Sequence, residues 1–446
     1  MSDAREEGGL HPLRALLRLR PGEGRRVSLA AMGFFCALYA YSILRPLREA
    51  AGLQGGTKEL PWLFSATLGA TLVVALVMAE LSRRARPCSH AIVVLLAVAS
   101  SLCVFAPFLE SDGSPWIARA FYVQVSVLNL LVVSVWFSWL ADQFRGDEAL
   151  RLYGLVGAGG TLGAFLGATT TARLHEQLGG EGLLYLSAVV FALAAPCALA
   201  FPPGSPKARR ERAGGSGPAW EGLALLPRRP ILAAICGYTF LHTLSGTFLY
   251  FVQAETVAAQ ALDRAGRTAL FAQIDAWTQG TTLVLQLFVA ERLARRAGPA
   301  ISLALQPLCC ACAGLGLWWT LAGGASKTVA GLAAPVFALI VAQVAVRASH
   351  FATARPVREA LYAALSPEEK YKAKAAIDTF VYRAGDALGA WAFDGFLRAA
   401  AGLGGTALLL APLGLGWIAL ARGLGRMASS RLDGAARAGE GDDRQR

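Results

Sequence analysis

Arg45-Pro46-Leu47-Arg48-Glu49-Ala50 ends the first long apolar stretch of the chain, and Arg355-Pro356-Val357-Arg358-Glu359-Ala360 ends another 310 residues later. An arginine costs about 2.5–3.5 kcal/mol at the middle of a membrane-spanning helix on insertion scales. The same costly hexapeptide met twice, each time at the end of an apolar run, points to an internal duplication whose charges have a task.

The rest of the sequence fits that setting. Of 446 residues, 55% are hydrophobic and 16% charged, where soluble domains carry about 25% charged residues. The chain therefore reads as an all-α, multi-pass membrane protein whose first partner is the lipid bilayer. The net charge of +12 does not indicate nucleic acid, because the excess lies in short loops and tails, where membrane topology accounts for it.

Apolar windows of about 20 residues fall at 27–50, 60–81, 91–109, 117–142, 153–174 and 183–201, then at 229–254, 268–292, 300–322, 329–355, 374–398 and 403–422. These predict twelve transmembrane helices as two six-helix bundles. The expected domains are an N-terminal tail (1–26), a first bundle (27–201), a linker (202–228), a second bundle (229–422) and a C-terminal tail (423–446). No cleavable signal is expected, so the first helix is read as a retained anchor. The linker, with Pro202-Pro203-Gly204 and Gly214-Gly215-Ser216-Gly217, has a flexible composition.

Every second loop is basic: Arg83-Arg84 and Arg86, then Lys207 to Arg212, then Arg292, Arg295 and Arg296, then Lys370, Lys372 and Lys374. Both termini are accordingly expected in the cytoplasm. Ala79-Glu80-Leu81-Ser82-Arg83-Arg84 and Ala290-Glu291-Arg292-Leu293-Ala294-Arg295 are corresponding exits of the second and eighth helices. The hexapeptides sit on helices of opposite direction, which inverted three-helix repeats allow. This layout resembles the major facilitator fold.

Charges inside or beside the spans should face a cavity or one another. Arg45, Arg48, Arg347 and Arg383 offer forks for an anion, and Asp275, Asp378 and Asp386 balance them or carry a coupling proton. Glu49, Arg355, Arg358 and Glu359 read as gate ion pairs. Asp378 and Arg383 lie five apart, about 140° around a regular helix, so each should meet a different helix. Asp142 reads as a loop anchor. Pro46 and Pro356 should kink their helices. Gly154, Gly157, Gly159, Gly160, Gly163 and Gly167 suit close helix packing and not a phosphate loop, since no strand precedes them.

Nothing indicates catalysis, a metal or a cofactor. His90, His175, His242 and His350 are scattered without metal-ligand spacing, and the cysteines (Cys36, Cys88, Cys103, Cys197, Cys236, Cys309, Cys310, Cys312) read as small packing residues.

Leu365 to Asp378, with Ser366-Pro367-Glu368-Glu369-Lys370-Tyr371-Lys372 at its centre, resembles the most characteristic segment of the nucleotide transporter family, which includes the ATP/ADP translocases. Ile43 to Glu49 resembles that family's Ile-Leu-Arg-Asp-Thr-Lys-Asp, and Phe137–Gln143 with Glu148–Gly154 also matches in pattern. The resemblance implies a twelve-helix transporter in a bacterial inner membrane, with an anionic nucleotide or organic-phosphate substrate moved by exchange or uptake. It places Arg48 where the translocases carry a lysine implicated in transport. Ser126 and Ser245-Gly246 stand about where they carry acidic residues, and Asp386 replaces a lysine after Arg383-Ala384-Gly385. Those departures describe a free-living bacterial relative with an altered site. The alternatives are a proton-coupled transporter of an unrelated solute and a membrane scaffold or sensor module that no longer transports.

Overall fold

The computed structural model describes residues 23–84, 87–109, 115–143, 146–200, 219–260, 262–323, 328–329, 332–362 and 367–443. The tail to residue 22, linker residues 202–218, Arg86, Leu365 and Ser366 lie outside these, as do the side chains of Arg83, Arg84, Cys88, His90, Asp142, Arg295 and Lys370.

Helices stand in all twelve expected places. The first half holds α1 (Glu23–Gly52), α2 (Leu60–Arg84), α3 (Pro87–Leu109) and α4 (Pro115–Gln143), then α5 (146–178) and α6 (180–199), which Gly179 separates at φ 64°. A side chain is strained at such a φ, which is why glycine makes the break. The second half holds α7 (Pro230–Ala258), α8 (Arg264–Phe288) and α9, the part of Ala290–Leu321 that follows a break at Gly298. Then come α10 (Ala334–Tyr362), α11 (367–401) and α12 (402–443). Short connections make successive helices antiparallel. One end of the bundle, the near end, holds the start of α1, and the far end holds its finish at Gly52.

Nine spans pass on length and apolarity alone among the described residues. One of them, Gly154–Cys197, contains both α5 and α6, while α8 and α11 fall short because they carry the polar groups of the interior. Helix is the form that lets each backbone group find its partner within its own segment in lipid. Val73, Leu76 and Val77 on α2, Val104 on α3 and Leu193 on α6 point outward, as a lipid-facing surface requires.

Buried side chains form two clusters. One gathers Phe34, Phe121, Trp136, Trp139 and Phe191, and the other Tyr238, Tyr362, Phe393 and Trp417. The second also takes in Leu53, Leu60, Leu63 and Tyr122 of the first half, which marks where the halves meet at the far end. Elsewhere the halves meet along α5 with α8 and α2 with α11.

Of the six glycines on α5, four pack as their composition suggests. Gly159, Gly160, Gly163 and Gly167 lie against Ala31, Phe34, Phe35 and Tyr39 of α1, whereas Gly154 and Gly157 have open space where a side chain would be. The close approach lets Tyr39 bond Thr170 (2.8 Å), Ser187 of α6 donate to the Ala40 carbonyl (2.9 Å) and Thr171 donate to that of Ile43 (3.3 Å).

Four expectations need correction. α1 stays helical from Glu23 to Gly52 across Pro46, so the proline does not interrupt it. On α10 the irregularity lies before the proline, as a π turn at His350–Ala354, and α11 carries two more at Ile377–Val381 and Leu397–Ala401. The end of the linker is ordered, with Ala219–Leu225 in a 3-10 helix packed on the start of α11. α10 starts at Ala334 after a two-residue hairpin, and α12 continues to Asp443 through the segment read as a tail.

Gly163→Val would drive methyl groups into the Phe35 carbonyl and should cost about 1–3 kcal/mol, seen as a lower melting temperature in detergent. Gly157→Ala should leave stability equal or raise it by up to about 1 kcal/mol, since alanine favours helix.

Candidate functional site

Arg45 and Arg48 lie seven and four residues before the far end of α1, roughly 10 and 6 Å from it at 1.5 Å per residue. There they open a continuous polar network. Asp275 of α8 is 5% exposed and stands between two arginines, 2.7 Å from Arg347 of α10 and 3.4 Å from Arg45. Arg45 also lies 3.9 Å from Glu49, itself 3% exposed, and Glu49 is paired with Arg48. Arg48 donates to the Ser126 hydroxyl of α4 (3.5 Å), and Arg383 of α11 donates to the Ser126 carbonyl (3.0 Å). Arg383 pairs with Asp386 at 3.2 Å, which accepts from Thr247 of α7 at 3.2 Å.

Six helices of both halves thus meet in one chain of contacts. Four arginines face three carboxylates in it, which leaves an excess positive charge. Arg48 Nε, Arg347 Nη2 and Arg383 Nε are buried and make no hydrogen bond to protein, as does Glu49 Oε2. Three guanidinium groups from α1, α10 and α11 therefore keep a donor unspent.

An aromatic floor closes the network toward the far end. Arg48 lies over the Tyr122 ring at 5.4 Å, and the Tyr122 and Tyr250 hydroxyls are 3.2 Å apart. Phe64 stacks at an angle on Tyr250 and Phe251, both centroids at 5.4 Å. Beyond it, Arg267 donates to the Leu53 carbonyl at 3.4 Å and Arg264 to that of Leu109. Trp391 of α11 meets Trp62 edge-on at 4.9 Å and donates to Ser65 at 3.0 Å. Apart from the Arg48–Tyr122 contact, which lies within the first half, these contacts tie one half to the other.

The second hexapeptide builds a separate cluster at the near end. Arg358 is 6% exposed, donates to Thr239 of α7 (3.3 Å) and pairs with Glu359 (3.4 Å) and Asp378 of α11 (3.9 Å). Lys374 pairs with Glu359. Arg355 is half-buried one turn before. These bonds run within the second half.

Asp378, grouped above with the substrate residues, thus lies in the near-end cluster, and Glu49, grouped with the gates, lies in the central network. Asp378 and Arg383 do meet different helices, Asp378 lying by Arg358 of α10 and Arg383 by Ser126 of α4, with the π turn Ile377–Val381 between them. The histidines are not all scattered, since the His242 and His350 rings stack at 3.9 Å. Among the described residues no group of three His, Cys, Asp or Glu could hold a metal. Tyr122, Tyr250 and Thr247 escape sequence reasoning. Only their polar tips within apolar runs could have flagged them.

A helical bundle that buries its charges between two halves is an interior suited to carrying a polar solute through a membrane. The sequence matches the Major Facilitator Superfamily model over residues 27–329, so the chain belongs to that superfamily and is a secondary active transporter, not an enzyme. Crystal structures of the nucleoside transporter NupG are similar to it. A mutant form gives a TM-score of 0.62 at 12% identity, covering 90% of this chain and all of that one. A second NupG structure gives 0.60 at 12% identity, covering 90% and 99%. At that identity the likeness concerns the fold. No curated protein matches the sequence.

Asp275→Asn leaves Arg45 and Arg347 facing each other without a counter-charge and should cost about 3–5 kcal/mol. The paired change Asp275→Leu with Arg347→Met should recover most of it. Thermal unfolding of the three purified proteins checks the order.

Proposed function

We propose that this transporter moves an anionic solute of the nucleotide or organic-phosphate class across a bacterial inner membrane, with both termini in the cytoplasm. The unspent donors of Arg48, Arg347 and Arg383 carry the reading. Buried guanidinium groups lacking full partners favour an anion that accepts several hydrogen bonds at once, and phosphate oxygens match their fork geometry. The resemblance of Ile43–Glu49 and Leu365–Asp378 to the nucleotide transporters supports the same class, with Arg48 as the cation that holds the phosphate. Carboxylates Glu49, Asp275 and Asp386 keep the arginines paired between loads.

The orientation rests on loop charge. Arg228, Arg229, Arg292, Arg296, Lys372 and Lys374 lie at the near end, while the far-end loops hold Lys58 with Glu59 and Asp263 with Arg264. The near end is then cytoplasmic, and this conformation is shut toward the outside.

The two hexapeptides act as alternating gates between bundles 27–201 and 229–422. They are built alike. Arg48 is four residues before the end of α1, pairs with the following Glu49 and donates to a hydroxyl of α4. Arg358 is four residues before the end of its helix, pairs with the following Glu359 and donates to a hydroxyl of α7. The first copy reaches across to the other half through Arg45 and Asp275, and the second folds back into its own. One gate is engaged and the other released, as alternating access about a central site requires.

Counterflow in proteoliposomes tests the proposal, with labelled ATP, ADP, a nucleoside monophosphate and glycerol phosphate offered in turn. Uptake of at least one is expected. Arg48→Ala should lower it by about ten- to a hundred-fold, the loss of one charge-assisted hydrogen bond, with Arg48→Lys in between. Absence of uptake for all four overturns the substrate class, and full uptake by Arg48→Ala overturns that residue's role.

A further inference from the structure

The second half buries a polar group that the transport site does not use. His242 of α7 and His350 of α10 stack with centroids 3.9 Å apart and planes 5° from parallel. Gln306 of α9, 1% exposed, joins them: its Nε2 lies 2.7 Å from His242 Nδ1 and its Oε1 lies 3.0 Å from His350 Nδ1. One amide cannot treat both rings alike. Its N–H donates to His242, whose proton is therefore on Nε2, and its oxygen accepts from His350, whose proton is on Nδ1. Two imidazoles with complementary tautomers, bridged by one buried amide, have one ring nitrogen ready to accept a proton at the bridge itself.

The surroundings decide when it does. Tyr382 of α11 meets His242 edge-on at 6.0 Å, and Trp417 of α12 lies at 6.0 Å. Tyr238 stands one turn before His242 on α7, and Cys309 and Cys310 one turn after Gln306 on α9. These are neutral groups. The charge that the contacts bring to this face of α7 is Arg358 of α10, with Arg355 one turn before it. Arg358 is docked on Thr239, three residues before His242 and on the same face of α7. A proton on the pair would lie within a turn of α7 of that docked guanidinium and be repelled by it. Stacked rings also repel a second positive charge, which limits the pair to one proton. His350 opens the π turn of α10, five residues before the Arg355 that leads the second gate, and single π turns recur at functional sites.

We infer that His242, His350 and Gln306 form a proton-binding site that takes up one proton when Arg358 leaves Thr239 for the first half, and releases it when Arg358 returns. The proton comes from cavity water and adds to His242 Nδ1. Gln306 then turns its amide so that Oε1 accepts from both Nδ1–H groups, and the return of Arg358 expels the proton to water. Acidification and closure of the near end thus favour each other, because a coupling between two events is reciprocal. The site does not depend on which solute is carried.

The test needs no substrate, so its failure and that of the substrate assignment are distinguishable. Spin labels go at Gly154→Cys and Ala360→Cys, exposed positions on α5 and α10 toward the near end, in otherwise cysteine-free protein in lipid nanodiscs. Electron–electron distances are recorded from pH 8 to pH 5. A shorter-distance population should grow on acidification. The double variant His242→Gln with His350→Gln should keep the pH 8 distribution throughout. Gln306→Leu, which retains both rings, should move the midpoint by at least about half a pH unit. A distance independent of pH before these changes overturns the proposal. So does an acid response that persists unchanged in the histidine double variant or in Gln306→Leu.

Discussion

The carboxylate of Asp275, held between Arg45 and Arg347, is the interaction on which the rest of this structure turns. Each of the three would be costly alone in a low-dielectric interior, by several kcal/mol per ion. Together they are tolerable only while the geometry holds. Arg45 belongs to the first half, and Asp275 and Arg347 to the second, so the electrostatic need for partners becomes a force that keeps the halves together. The Tyr122–Tyr250 contact and the Trp62–Trp391 pair seal the same end with apolar surface. Opening the seal takes the arginines away from these partners, and the anionic solute proposed above would replace them.

The duplication gains meaning from this constraint. The two copies of Arg-Pro-x-Arg-Glu-Ala make the same local pair and the same kind of hydroxyl contact on helices of opposite direction. They differ in what they reach: one arginine of the first copy crosses to the partner half, and the partners of Arg358 stay within its own. On the gate reading proposed above, the first copy is the engaged one in this conformation and the second the released one. The solute class, the membrane and the orientation of the protein in it rest on the chemistry of these arginines, on loop charge and on the resemblance of short segments.

Most of the fold was legible because lipid allows few choices. Runs of about twenty apolar residues must be helices, and every charge within them must be turned inward. That logic found Arg45, Arg48, Asp275, Arg347, Arg383 and Asp386 as members of an interior set. It could not say who meets whom, since Arg45 and Asp275 are 230 positions apart and His242 and His350 are 108. The π turns leave no mark in composition, and nothing in the sequence says that Asp378 serves Arg358 and not the central network. α12 runs on to Asp443 because alanine and arginine favour helix outside the bilayer as well as in it, whereas a hydropathy window stops where apolarity does.

The claim that Asp275 holds the far end shut can be read directly as a distance. Dyes at Gln54→Cys and Gln260→Cys, exposed positions in the far-end loops of the two halves, report it by single-molecule energy transfer in nanodiscs. The unsubstituted network should give a predominant high-transfer population, and Asp275→Asn should add a lower-transfer population in which the halves have parted. A distribution unchanged by Asp275→Asn would contradict the view that this carboxylate bridges the gate.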